Sequence, residues 1–129
     1  MATVSTGIFG DSNTFNLKEI KIEKVRSEVL DFFVAGEEIV SAFETIRDQV
    51  VFTNKRILVV NVQGITGKKR AYLSYPYSKI QYFGIETAGV LDIDSELILA
   101  FNDGSTLSFD FKTNVDIVGI SRTISEYVL

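Results

Sequence analysis

The stretch Thr106-Leu107-Ser108-Phe109-Asp110-Phe111-Lys112 alternates polar and apolar side chains one by one. A period of two is the mark of a half-buried strand, with one face toward a core and the other toward water. Immediately before it, Asn102-Asp103-Gly104-Ser105 supplies residues that enter the left-handed backbone region a tight turn requires. Together with the apolar run that precedes the turn, this reads as an antiparallel hairpin of strands 93–101 and 105–112.

Toward the N-terminus the same pattern repeats. Short runs rich in β-branched and aromatic residues, divided by turn signals, predict strands over 38–46, 49–53, 56–62, 69–75 and 79–87. The single proline, Pro76, falls between two of them, where its missing donor does no harm. Toward the C-terminus the period changes: Ile117, Ile120, Ile124, Tyr127 and Val128 step by three and four, which predicts a helix over 114–129. Thr113 or Asn114 is its expected cap, and Asp116 complements the positive end of its dipole. Leu17, Ile20, Val25, Val29, Phe32 and Phe33 show similar spacing after Asn16, with Glu19 three residues on as in a capping box, and Gly36 follows as a stop. A second helix is therefore predicted over 17–35. Residues 1–16, rich in Ser, Thr, Gly and Asn, read as a flexible leader. The expected architecture is one mainly β (α+β) domain over 17–129. Seven antiparallel strands form a barrel or sandwich, with a C-terminal helix and an extra N-terminal one.

A chain of 129 residues has the size of one ordinary domain, and 46% apolar with 23% charged residues is the composition of a folded protein. It contains no His and no Cys, so imidazole bases, thiolate nucleophiles, disulfides and the usual zinc, copper and haem ligands are all excluded. The first residues lack a basic leader and an apolar segment, and no apolar run approaches the length of a bilayer span, so a cytoplasmic location is expected. A net charge of -4 argues against nucleic acid as a partner. The charge is unevenly spread. Residues 47–80 carry Arg47, Lys55, Arg56, Lys68, Lys69, Arg70 and Lys79 against Asp48 alone; residues 81–111 carry Glu86, Asp92, Asp94, Glu96, Asp103 and Asp110 and no base.

Three patterns resemble chemistry without supplying it. Gly64-Ile65-Thr66-Gly67-Lys68-Lys69 has glycines and lysines like a phosphate loop, but its glycine spacing is wrong and it joins two strands, so it reads as a hairpin turn. Asp92, Asp94 and Glu96 share one face of a strand, yet lack the loop glycine and the bidentate Glu of a calcium loop, so they read as a solvated acidic face. Ser78 and Lys79 are neighbours in a strand and point to opposite faces, a poor nucleophile and base. No enzymatic activity, cofactor or metal is expected.

What remains is binding. In a meander, Arg47 in the first turn shares one end of the sheet with Lys68, Lys69 and Arg70, while Lys55, Arg56 and Lys79 fall at the other. These four, Arg47, Lys68, Lys69 and Arg70, are the candidate ligand residues, and a weak contact with anionic lipid headgroups is the alternative function they suggest. The run Ile57-Leu58-Val59-Val60 is apolar on both faces, and a tyrosine group lies nearby, so Ile57, Val59, Tyr75, Tyr77 and Tyr82 are the candidate oligomer contact. The N-terminal helix is the competing cover for that run. The expected partner is a second copy of the chain, with another protein or a peptide as the alternative.

Several joined segments resemble the bacterial pleckstrin homology (PH) domain family: Arg47-Asp48-Gln49-Val50-Val51-Phe52-Thr53-Asn54-Lys55-Arg56-Ile57-Leu58, Gln63 to Lys69, Tyr75 to Ile80, Glu86 to Gly89, Asp92 to Leu97, and the earlier Gly36-Glu37-Glu38-Ile39. The resemblance spans residues 17–129. It implies the PH-like fold of seven strands and a terminal helix, ring-like homo-oligomers, and no established catalytic activity. The chain departs from phosphoinositide-binding relatives in its first turn, Thr45-Ile46-Arg47-Asp48-Gln49, which has one base and one acid, and in lacking their helix Trp, whose volume falls to Tyr127 or Ile120.

Overall fold

The computed structural model describes residues 3–5, 12–14, 16–87, 95–111 and 115–129. Along the chain the strands are β1 (Thr3–Ser5), β2 (Ser12–Thr14), β3 (Asn16–Ile20), β4 (Ile39–Glu44), β5 (Gln49–Thr53), β6 (Arg56–Gln63), β7 (Lys69–Pro76), β8 (Ile80–Glu86), β9 (Ser95–Phe101) and β10 (Thr106–Phe111). One α-helix, α1 (Ile117–Val128), follows. Two compact units divide the chain, Glu19–Tyr77 and Met1–Lys18 with Ser78–Leu129.

In the unit Glu19–Tyr77, four antiparallel strands run in the order β7-β6-β5-β4. Leu58 and Val60 of β6 and Val51 of β5 point to one face, where Val29, Val62 and the flanking Val25, Phe33, Ile39 and Tyr72 pack on them. On the alternate positions, Val50, Phe52, Ile57 and Val59 are buried as well, and Phe52 meets Phe43 edge-to-face at 5.7 Å. A strand apolar on both faces is thus covered on both faces within one chain.

The predicted helix over 17–35 is replaced by β3 and two 3-10 turns, Ile22–Lys24 and Ser27–Phe32. Two interactions from outside the segment explain the difference. Leu17 lies opposite Phe111 in a parallel ladder, which holds that stretch extended. Further on, Gln49 captures the backbone that a helix would use for itself: its Oε1 accepts from Arg26 N at 2.9 Å, and its Nε2 donates to Lys24 O at 3.1 Å. Val25 and Arg26 are consequently extended between the two turns. The spacing of four still delivers Val25, Val29 and Phe33 of the predicted stripe to one cluster, whereas Phe32 of the same stripe is exposed.

In the other unit, β10 lies between β9 (antiparallel) and β3 (parallel), and β8 pairs with the far side of β9. Leu107, Phe109 and Phe111 are buried and Thr106 is exposed, as the alternation predicts; Asp110, expected on the wet face, is buried too. Residues 3–14 of the expected leader contain the short β1–β2 ladder, and β1 packs beside β10. Its Ser- and Thr-rich strands carry no apolar signal. The helix α1 packs on β8 and β9 through a face that includes the buried Ile117, Ile120 and Ile124; Ile120, rather than the more exposed Tyr127, takes the inner position. Its N-cap is Asp116, whose carboxylate accepts from Gly119 N at 3.0 Å. Thr113 and Asn114, the caps expected from sequence, lie outside the described residues, as do Asp92 and Asp94 of the acidic run.

Candidate functional site

Two groups of exposed residues lie in the Glu19–Tyr77 unit, one at an end of the β7-β6-β5-β4 sheet and one in the segment before β4. At the end, two turns lie side by side. Residues 45–48 connect β4 to β5: Thr45 N donates to Asp48 O at 2.9 Å, and Thr45 Oγ1 accepts from Asp48 N at 3.0 Å. Residues 64–68 connect β6 to β7, with Gly64 and Gly67 in the left-handed region at φ of 77° and 68°. At Gly67 a methyl group would meet that strain and also press on Val62 Cγ1 at 3.3 Å. The sequence Gly64 to Lys69 is therefore the hairpin turn expected.

The buried carboxylate of Asp48 ties the first turn to β6. It accepts from Val62 N at 2.7 Å and from Asn61 Nδ2 at 3.1 Å, and Asn61 Oδ1 accepts in turn from Gln63 Nε2 at 2.9 Å. Arg47 closes the gap from above, its guanidinium donating to the Gly64 carbonyl. On this braced platform Ile46 and Ile65 stand fully exposed, at 102% and 104% of their reference accessibility. Lys68 and Lys69 are exposed beside them.

The four candidate ligand residues thus fall at one end of the sheet but in different states. Arg47 is engaged with Gly64 O, and Arg70 pairs with Glu28 at 3.2 Å. Lys68 and Lys69 are the exposed ammonium groups of the set. Arg56, expected at the far end, is held there by Glu37 at 2.7 Å, and its guanidinium also donates to the Phe32 carbonyl. The guanidiniums of Arg47, Arg56 and Arg70 are thus engaged with the protein's own acceptors.

Of the candidate oligomer residues, Ile57, Val59 and Tyr77 must be withdrawn. Their relative exposures are 0%, 0% and 2%, and the Tyr77 hydroxyl donates to Thr53 O at 2.8 Å inside the chain. Their apolar character is spent on the core. Tyr75 is half-buried, and that burial pushes its phenol pKa above the usual value; Tyr82 is exposed.

The flank shows a surface that sequence reasoning missed. Leu30, Phe32 and Val34 are 57%, 42% and 58% exposed. Of the three, Phe32 lies against β7, the terminal strand of its sheet: its ring is 4.6 Å from that of Tyr72, and Arg56 ties Phe32 O to Ser74 Oγ. Reading the segment as a helix assigned Phe32 to the inner stripe. For the turns a signal did exist, since Ile46 between Thr45 and Arg47, and Ile65 between Gly64 and Thr66, are large β-branched residues among turn formers, where nothing local rewards them. Among the described residues, no group of three or more Asp and Glu side chains is placed to hold a metal ion.

A seven-strand run, β4 to β10, with a terminal helix, preceded by the short strands β1 to β3, and a spaced set of turn motifs define the class. The family model described as bacterial PH domain matches residues 8–128, and the chain belongs to that family. It is 36% identical over 121 residues to a Bacillus subtilis (strain 168) protein, "Uncharacterized protein YjqA", covering 92% of this chain and 93% of that one. A second protein of the same organism, "Uncharacterized protein YozO", is 28% identical over 122 residues, 95% of this chain and 97% of that one. Among solved structures, a DUF1696 family protein with a pleckstrin-homology domain from Shewanella loihica PV-4 superposes with a TM-score of 0.78 at 38% identity, covering 89% of this chain and 99% of that one. A pleckstrin homology domain from Shewanella amazonensis SB2B gives 0.65 at 36% identity, covering 95% and 96%. The fold is therefore PH-like and mostly β, and no match indicates an enzymatic family. No helix among the described residues is long and apolar enough to cross a membrane.

Proposed function

We propose that this chain is a cytoplasmic, non-enzymatic binding module that works as a homo-oligomer, joined through the flank of the Glu19–Tyr77 unit. The observation that carries the reading is the exposure of three neighbouring apolar residues, Leu30, Phe32 and Val34, with Phe32 against Tyr72 of the terminal strand β7. Apolar side chains gathered next to a sheet edge are what a second copy covers when it docks, with the strand's backbone groups giving direction to the contact. Lys69 and Arg70 at one end of β7 and Pro76 at the other restrict pairing to the middle of the strand. The surplus of acids in residues 81–111 offers these bases a complementary surface on a neighbour, in a head-to-tail contact that closes into a ring when the rotation permits.

Sedimentation velocity across a concentration series tests this. The expected result is a species heavier than the 14.4 kDa monomer that Leu30→Ser/Val34→Ser dissociates while the circular dichroism spectrum is retained. A single 14.4 kDa species at every concentration refutes it.

A further inference from the structure

We infer that residues 21–33 are a two-state strap: Gln49 pins them in an irregular course over the apolar face of β5 and β6, and on release they refold as an amphipathic helix and uncover that face. The residues themselves ask for the helix. Ile22, Val25, Val29 and Phe32 recur at spacings of three, four and three, charged side chains fill most positions between them, and neither glycine nor proline falls among them. The observed course answers that pattern poorly. Of the four, Val29 alone is fully buried, while Ile22 and Phe32 are 46% and 42% exposed. The turn Ser27–Phe32 runs for six residues as a 3-10 helix, longer than the three or four that this geometry usually sustains. A segment whose local preference and tertiary setting disagree is one that a modest change of contacts can move.

The contacts that decide between the two states are few. Gln49 accepts from Arg26 N at 2.9 Å and donates to Lys24 O at 3.1 Å. Those are groups that a helix satisfies for itself, with Arg26 N donating to Ile22 O and Lys24 O accepting from Glu28 N. While Gln49 holds them, Val25 and Arg26 stay extended, at ψ of 137° and 131°, and the helix is interrupted at its centre. Without Gln49 both groups lose their partner in a partly buried place, and helix formation is the local remedy. The C-terminal end needs no such release. Arg56 donates to Phe32 O, and Glu37 accepts from Val34 N at 3.1 Å. A carbonyl in the last turn of a helix is open to such a donor, so this end serves as the hinge. The helical state draws the Val29 plug away from Val51, Leu58 and Val60. The strap is thus the gate of an apolar face, and Gln49 is its catch. The gate does not depend on the self-association proposed above; one is read in spectra and the other in mass, so either can fail alone.

Proline separates the two states. The strap accepts it at Ser27, which opens its turn after an extended Arg26, whereas a helix over 21–33 would carry it in the interior at a cost of about a hundredfold or more in the equilibrium. Gln49→Met keeps the side-chain volume and removes both hydrogen bonds. Its far-ultraviolet circular dichroism is expected to gain a helical signal comparable to that of α1, and its binding of an apolar dye to rise severalfold, with cooperative unfolding retained. In Gln49→Met/Ser27→Pro both gains should be lost, and Ser27→Pro alone should match the parent chain. Trifluoroethanol, kept below the concentration that melts the sheet, gives a second arm with Gln49 in place: the parent should gain helix and Ser27→Pro should not. A Gln49→Met spectrum identical to the parent's overturns the inference, as does a helical gain that survives Ser27→Pro. If Gln49→Met does not fold, the trifluoroethanol arm decides, and an equal response of the parent and Ser27→Pro overturns it.

Discussion

Replacing Glu37 by Gln should destabilise this protein more than any other single exchange of a polar atom in the Glu19–Tyr77 unit. The carboxylate, with no side-chain exposure, accepts from Arg56 Nη2 at 2.7 Å, Arg56 Nε at 2.9 Å, Thr53 Oγ1 at 2.7 Å and Val34 N at 3.1 Å. Burial alone would raise its pKa. The hydrogen bonds from Arg56, Thr53 and Val34, together with the Arg56 charge, outweigh that and lower it from the ordinary 4.5 to about 2. The hydrogen bond to Glu37, with the Glu37 charge and against the effect of burial, raises the pKa of Arg56. A displacement of that size corresponds to about 3 kcal/mol in favour of the folded state when Glu37 is ionised. Removing one partner of a buried pair typically costs a similar ~3–5 kcal/mol, because the other charge stays behind without compensation. In Glu37→Gln the new amide also turns N–H groups toward donors on Arg56 or Thr53.

The assay is urea unfolding of both proteins across pH. Because the folded pKa of Glu37 lies below the unfolded one, its contribution is present in full above pH 4.5 and disappears as pH falls toward 2. At neutral pH the variant should lose about 3 kcal/mol, or on the order of 10 °C in Tm for a chain of this size. The gap between the two proteins should narrow steadily below pH 4.5, whatever the other carboxylates contribute to both curves. Glu37→Leu/Arg56→Met should recover part of the loss, since it leaves no buried charge. A gap under about 1 kcal/mol at neutral pH, or one that stays constant down to pH 2, would refute the reasoning.

Three further outcomes follow from single contacts. Gly119→Ala should destabilise α1 by about 1 kcal/mol or more, since a Cβ there stands 2.3 Å from Asp116 Oδ2 and displaces the cap; an unchanged melt would show that the cap is dispensable. Tyr77→Phe should cost about 1 kcal/mol in urea unfolding by removing the donor to the buried Thr53 carbonyl. Val29→Ala should cost about 2 kcal/mol, because Val29 is the fully buried plug that the N-terminal segment sets on Val51, Leu58 and Val60; a cost below about 0.5 kcal/mol would mean that the segment does not cover that face.

The β hairpins were legible because their information is local. Leu107, Phe109 and Phe111 alternate with polar neighbours, and Gly64, Gly67 and Gly104 occupy the turn positions that need a positive φ. The N-terminal segment was not legible for the opposite reason: a spacing of four is common to a helix and to two 3-10 turns joined by extended residues. The choice is made by Gln49, more than twenty residues away, and by Phe111 across a parallel ladder. The candidate site divided along the same line. Lys68 and Lys69, named from charge, are exposed, while Ile57, Val59 and Tyr77 are buried in the chain's own core, because a doubly apolar strand has the same sequence whether its cover is a neighbour or its own chain. The exposed strip of Leu30, Phe32 and Val34 became visible only once the helix was gone.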